Sequence, residues 1–190
     1  MDRTARKMFT QRTEFSTRDD NGALSIEGYF AVFDSVYEIA PGMSESIAQG
    51  AFDNTISDDI RALINHDTTL VLGRTKAGTL QLRTDSHGLW GHIDINPNDS
   101  DAMNLYNRVQ RGDVDQCSFG FDILNEETEF REDGSVHWTI KEVKLYEVSP
   151  CTFPAYEETS IAARSRERDE LIKRKNDAWA EKMRKHLKGE

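Results

Sequence analysis

Cysteine is scarce: Cys117 and Cys151 are the only two in 190 residues, which is too few for a disulfide framework and fits a reducing, cytoplasmic setting. Positive charge is short as well. The chain carries 24 Lys and Arg against 34 Asp and Glu, a formal net charge of −10, where a nucleic-acid binder would show a basic field. No apolar run approaches membrane-spanning length, and the segment Met1-Asp2-Arg3-Thr4-Ala5-Arg6-Lys7 is followed by no apolar signal core, so no membrane partner is expected. His66, His87 and His92 lack the tight ligand spacings of zinc motifs, and Gly73 and Gly88 lack the repeats of a phosphate-cradling loop. Neither a metal nor a cofactor is therefore expected. No internal repeat is visible.

What charge there is lies unevenly. Residues 161–190 hold ten Lys or Arg against six Asp or Glu, whereas residues 1–160 hold 14 against 28. That asymmetry sets an acidic body apart from a basic tail over 161–190, and the polar stretch over 1–22 reads as a flexible N-terminal arm, which leaves the body over 23–160. In the tail, Leu171, Ile172, Lys175, Ala178, Trp179, Met183 and Leu187 fall on one stripe, the pattern of an amphipathic helix with a narrow apolar seam.

The body reads mainly as short strands. A strand is expected near 7–15, and residues 24–33 alternate and then turn continuously apolar, a strand entering the core. Residues 34–44 contain Pro41-Gly42 and read as loop. The spacing of Ile47, Ala51, Phe52 and Ile56 predicts a short helix over 46–56. Strands follow at 60–66 and 70–74, and 79–85 with 89–95 reads as a hairpin around Ser86-His87-Gly88. Asp99 or Ser100 caps a helix whose stripe is Ala102, Leu105, Tyr106 and Val109, with Gly112 as its stop. A strand through Ser118, an acidic turn region over 126–134 and a strand over 136–148 with a bulge near Glu142-Val143 complete the body, which Pro150 and Pro154 close. About seven strands to three helices predicts a mainly β, α+β chain, a barrel or compact sandwich with helices packed outside.

The stretch Asp115-Gln116-Cys117-Ser118-Phe119-Gly120-Phe121 offers candidate chemistry. On a strand, Cys117, Phe119 and Phe121 share a core face, and Ser118 and Gly120 share the other, open to an approaching substrate backbone. A serine nucleophile needs a base, and the base an orienting group. His66 is the best base, because it continues the apolar face of Ile60, Ala62 and Ile64. His87, His92, His137 and His186 are weaker candidates. Glu147, on the face of Val143 and Leu145, is the orienting carboxylate, with Asp67 as the alternative. Cys117 is the alternative nucleophile, although its aromatic neighbours bury it. The amides of Phe119 and Gly120, or the side chain of Arg74, are the candidate oxyanion donors.

The order His66, Ser118, Glu147 comes with specific words: Gly28-Tyr29-Phe30-Ala31-Val32-Phe33-Asp34, Leu63-Ile64-Asn65-His66-Asp67, Leu72-Gly73-Arg74, Asp85-Ser86-His87-Gly88-Leu89, Ser118-Phe119-Gly120-Phe121, and Glu147-Val148-Ser149 through Phe153-Pro154-Ala155-Tyr156. Their ordered recurrence from about Leu24 to Tyr156 resembles the prohead maturation proteases of tailed bacteriophages of the HK97 type. The resemblance implies a β-barrel surrounded by helices, like the herpesvirus assembly proteases. It also implies a serine endopeptidase inside the immature capsid, in the host cytoplasm, that cuts scaffold or the scaffolding part of the capsid protein and then itself. Ser118 matches the nucleophile, His66 the base and Glu147 the acidic third position, which the herpesvirus relatives fill with a second histidine. The expected partner is a capsid or scaffold protein, with self-association to a dimer beside it. The alternative is a catalytically inactive assembly or scaffold protein that keeps a protease-like domain.

Overall fold

Alternation of apolar and polar residues becomes eleven strands among the described residues, which in this computed structural model are 7–20, 23–153 and 158–188. The first of two compact units, Met1–Tyr156, holds them all. In order they are β1 (Lys7–Arg12), β2 (Ser16–Asp20), β3 (Ala23–Val32), β4 (Tyr37–Ala40), β5 (Met43–Ile47), β6 (Arg61–Ile64), β7 (Asp67–Arg74), β8 (Leu80–Thr84), β9 (Gly88–Ile95), β10 (Gln116–Phe130) and β11 (Val136–Cys151), with helix α1 (Ser100–Arg111) between β9 and β10. The protein is thus mostly β with two helices, an α+β fold.

One sheet runs β2-β3-β9-β8. The other runs β1-β10-β11-β5-β4, with β6 and β7 added through a β6–β11 pairing. The described strands pair as these two sheets, and no closed ring of pairings is among them. The spine of the larger sheet is β11. Along one edge it pairs antiparallel with β10. Along the other, its first half pairs parallel with β5 and its second half parallel with β6, where Glu147 opposes Arg61. The sheets share one core. Ile26, Phe30, Leu89 and Ile93 of the smaller sheet meet Phe119, Phe121, Leu145 and Val148 of the larger. Phe119 stacks on Phe121 at 4.9 Å and meets Phe52 edge-on at 5.6 Å, so the aromatic face of the Ser118 strand does point into the core.

Several elements match the sequence pattern closely. Asp99 caps α1 by accepting from the amides of Asp101 and Ala102, Gly112 ends it in the left-handed region (φ 79°), and Ala102, Leu105, Tyr106 and Val109 are the buried stripe. The hairpin of β8 and β9 and the strand expected near 7–15 are present. Within the 1–22 arm, Lys7–Arg12 and Ser16–Asp20 are strands because each finds a partner, β10 and β3 respectively. Residues 1–6 of that arm, and Pro154 with the word ending at Tyr156, lie outside the described residues.

Three expectations are corrected. Residues 34–44 are not all loop: β4 and β5 form a hairpin about Pro41-Gly42, and β5 is recruited by its parallel pairing with β11. Residues 46–56 are not a helix. Ser46 and Ile47 belong to β5, and the remainder forms successive turns, with Ala51, Asp53 and Thr55 amides bonded three residues back. Ile47, Ala51 and Phe52 are buried as the spacing requires, but the strand takes the residues a helix would need to nucleate. The acidic region 126–134 is mostly strand. Glu126, Glu127 and Glu129 sit opposite Ile140, Thr139 and His137, and the turn is only the short link closed by Arg131 N to Ser135 O. The irregularity near Glu142-Val143 is present on both strands: Leu124 is the extra residue on β10, and Lys141, beside Glu142, is the extra residue on β11.

The second unit is Glu157–Glu190, built on α2 (Glu158–Lys188). Its exposed face carries Lys185–Glu181 and Arg174–Glu170 pairs at one-turn spacing. On its apolar seam, Leu171 and Ile172 are half-buried, and Trp179 and Met183 are exposed. The side chain of Leu187 lies outside the description. Among the described residues no helix is long and apolar enough to cross a membrane.

Candidate active site

The site is built on the tight turn between β6 and β7. Ile64 pairs with Asp67, so Asn65 and His66 are the whole loop, and both have positive φ, 50° and 62°. This is the backbone of a two-residue hairpin turn of the primed kind, which Asn adopts readily and His rarely. The strand therefore ends at Ile64, and His66 is not on the face of Ile60, Ala62 and Ile64: it is presented by the turn. The end of β11 clasps that turn. Asn65 N donates to Pro150 O (3.1 Å), Thr152 N donates to Asn65 Oδ1 (2.9 Å), and His66 N donates to Ser149 Oγ (3.3 Å).

Glu147, only 4% exposed, faces this turn from β11. Its Oε1 accepts from His66 Nδ1 at 2.7 Å and its Oε2 accepts from Ser149 Oγ at 2.6 Å. A buried carboxylate needs such partners. Gly120, opposite Glu147 on β10, makes room for it, because a Cβ there would run into Glu147 Oε1. The glycine beside Ser118 is thus filled by the carboxylate, not left open for substrate. Gly120→Ala is expected to displace Glu147 and destabilise the protein by about 1–3 kcal/mol through overpacking. Denaturant unfolding measures this, and an unchanged midpoint would show that the carboxylate has room to spare.

Ser118 is fully buried on β10, directly across from Ser149. Opposed residues of an antiparallel pair share a face, so Ser118, Gly120, Glu147 and Ser149 stand together on one side of the β10–β11 ribbon. Two buried polar atoms there make no hydrogen bond among the described residues: Ser118 Oγ and His66 Nε2. A neutral imidazole that donates its Nδ1 proton to a carboxylate keeps its lone pair on Nε2, the atom that can take a proton.

The other candidates are engaged in other ways. Asp67 Oδ1 accepts from the hydroxyl and amide of Thr69, which hold its carboxyl below the usual range, so its bonds are made within the start of β7. Cys117 is buried and donates toward the Tyr29 carbonyl at 3.3 Å, while burial pushes the Cys151 thiol up to about 12. Arg74 grips Asp59 through Nε and an Nη at 2.6 Å each, and that contact holds the Asp59 carboxyl down at about 2 against the opposing effect of burial. Phe119 and Gly120 lie where β10 is paired on both sides, with β1 and β11. His137 lies between Ser44 and Ser46 and is kept below its ordinary pKa chiefly by burial. His92 is penalised by burial too, but its bonds to Asp94 and Glu27 raise its pKa overall. His87 packs edge-on against Tyr29. His186 lies in α2, with its side chain outside the description. Sequence reasoning missed Ser149, although a residue two after Glu147 on a strand must share its face.

Fold and residues together define a mostly β chain with a hydrogen-bonded histidine–glutamate pair on the face of a buried serine. The chain belongs to the caudovirus prohead serine protease family, whose model matches residues 11–174. The prohead protease of Enterobacteria phage HK97 is 30% identical over 141 residues, which cover 72% of this chain and 60% of that protein. The chain thus spans about three fifths of that relative's length. Among solved structures, the capsid assembly protease of bacteriophage T4 has a similar fold, with a TM-score of 0.50 and 11% identity over 78% of this chain and 99% of that one.

Proposed function

We propose that this chain is a serine endopeptidase of prohead maturation, acting inside the immature capsid in the host cytoplasm on scaffold protein or the scaffolding region of the capsid protein, and on itself. The observation that supports this most is the 2.7 Å His66–Glu147 bond together with the buried, unbonded Nε2 and Ser118 Oγ, in a member of this family. In the reaction, His66 Nε2 takes the Ser118 proton as Oγ bonds to the scissile carbonyl carbon. Glu147 stabilises the imidazolium that results. His66 then hands that proton to the departing amine, leaving an acyl-serine. Water attacks the ester, giving its proton to His66, and the Ser118 oxygen leaves with that proton restored. In this reading, the amides of Phe119 and Gly120 or the Arg74 guanidinium meet the oxyanion. For Arg74 that role requires release from Asp59, and for the two amides it requires a gap in the pairing of β10 with β1 or β11.

The same reading has the two sheets closing as a barrel of the herpesvirus assembly protease kind, and self-association to a dimer. It is tested by incubating the full chain at high concentration and following its intact mass. Clipping is expected, and a mass that never changes would leave the catalytically inactive assembly protein as the better reading.

The body over 23–160 carries the chemistry in this proposal, and the basic tail over 161–190 serves docking and is the natural site of self-cleavage. A truncation ending near Arg164 is expected to keep peptidase activity and to be incorporated poorly into proheads. Assaying the purified truncation beside its content in isolated proheads measures both. Loss of activity in the folded truncation would place the tail in the catalytic machinery.

A further inference from the structure

The carboxylate of Glu147 has two oxygens, and the proposed reaction uses only one. Oε1 holds His66 Nδ1, and Oε2 is held by Ser149. Ser149 is fully buried, and its single hydroxyl makes two bonds at once. It donates to Glu147 Oε2 at 2.6 Å and accepts the backbone N–H of His66 at 3.3 Å. One hydroxyl therefore ties the carboxylate to the main chain of the histidine that the carboxylate orients.

Both ties matter physically. A carboxylate held at one oxygen only can turn about its last torsion, which is broad. A second donor fixes the plane of the group and so the direction of the Oε1 lone pair toward Nδ1. The His66 backbone is in a sparsely populated conformation that persists only where its surroundings over-determine it. Asn65 N to Pro150 O and Thr152 N to Asn65 Oδ1 supply part of that constraint, and Ser149 supplies the bond nearest the imidazole.

We infer that Ser149 is a positioning residue for the proposed peptidase: by bridging Glu147 Oε2 and His66 N it sets the imidazole where Nε2 can serve Ser118. The inference rests on the reading of Ser118, His66 and Glu147 given above. The remaining two turn bonds are independent of Ser149, so the β6–β7 hairpin is expected to survive its loss.

Two readouts test it. The first is cleavage of a peptide spanning the bond at which the unsubstituted full chain clips itself, located by peptide mapping. Ser149→Ala is expected to lower kcat by about 10- to 100-fold, the usual effect of losing one hydrogen bond to a charged group, with KM unchanged. Ser149→Thr, which keeps the hydroxyl, is expected to recover most of the rate, and Ser149→Val, of the same size without it, is not. The second is the proton resonance of His66 Nδ1–H in the full chain carrying Ser118→Ala. A low-field signal is expected there and is expected to weaken or move upfield when Ser149→Ala is added. An unchanged kcat and signal in Ser149→Ala, or equal behaviour of the Thr and Val variants, would overturn the inference. Persistent cleavage in Ser118→Ala would instead overturn the nucleophile assignment, and the resonance would still decide whether Ser149 holds the histidine–glutamate pair.

Discussion

Ser118→Ala is expected to abolish both substrate cleavage and self-cleavage, with a rate loss on the order of a million-fold, because removal of a triad nucleophile leaves only binding and oxyanion stabilisation. Its effect on stability should be of the opposite kind. The Ser118 hydroxyl is buried and bonded to no described group. A buried polar atom without a partner costs free energy, so exchanging the hydroxyl for hydrogen should leave stability unchanged or raise it by about 1 kcal/mol. Loss of function with equal or greater stability is the mark of a residue kept for chemistry. Thermal unfolding and intact-mass kinetics on the same sample measure the two effects together. A variant that loses activity because it unfolds would show instead that Ser118 is a packing residue.

The second large effect is expected at Glu147. Glu147→Gln conserves shape but removes the charge that faces the imidazolium. If the new amide turns its NH2 toward His66 Nδ1, it also selects the tautomer whose Nε2 is protonated and cannot accept from Ser118. By analogy with other triads, kcat should fall by about 10^4-fold, with the fold intact. Asp67→Asn is the control. Its carboxylate is engaged by Thr69, so the change should alter the rate little. A silent Glu147→Gln beside a damaging Asp67→Asn would transfer the orienting role to Asp67.

The helix α1 is legible in the sequence, apart from the choice between Asp99 and Ser100 as its cap, because its information is local: a capping side chain, a 3.6-residue stripe and a stop glycine all act within one segment. The β8–β9 hairpin is local in the same sense. The Ser46–Ile47 strand was not legible, because it exists by pairing with β11 about ninety residues away, and no nearby residue announces that partner. The candidate site divides along the same line. Alternation on β10 puts Ser118 and Cys117 on opposite faces, as the structure has them, but alternation on β11 misplaces Glu147: Leu145 faces Phe121 in the core, and a register shift at Tyr146 turns the buried Glu147 to the other side, with Gly120 and Ser118. The strand period continued through Asn65-His66 misplaces His66, because Ile64 and Asp67 close a two-residue turn there. On the sequence Gly120 offers space for substrate, whereas its missing Cβ is space for Glu147, a contact that only the β10–β11 register reveals.

The central claim is that His66 and Glu147 activate Ser118. Reaction of the folded full chain with a fluorophosphonate, followed by intact mass and peptide mapping, tests it most directly, since such reagents are attacked by activated serines without any need for the right substrate. A single adduct on Ser118 that disappears in His66→Ala is the predicted result. An unlabelled protein, or an adduct on another residue that survives His66→Ala, would contradict it.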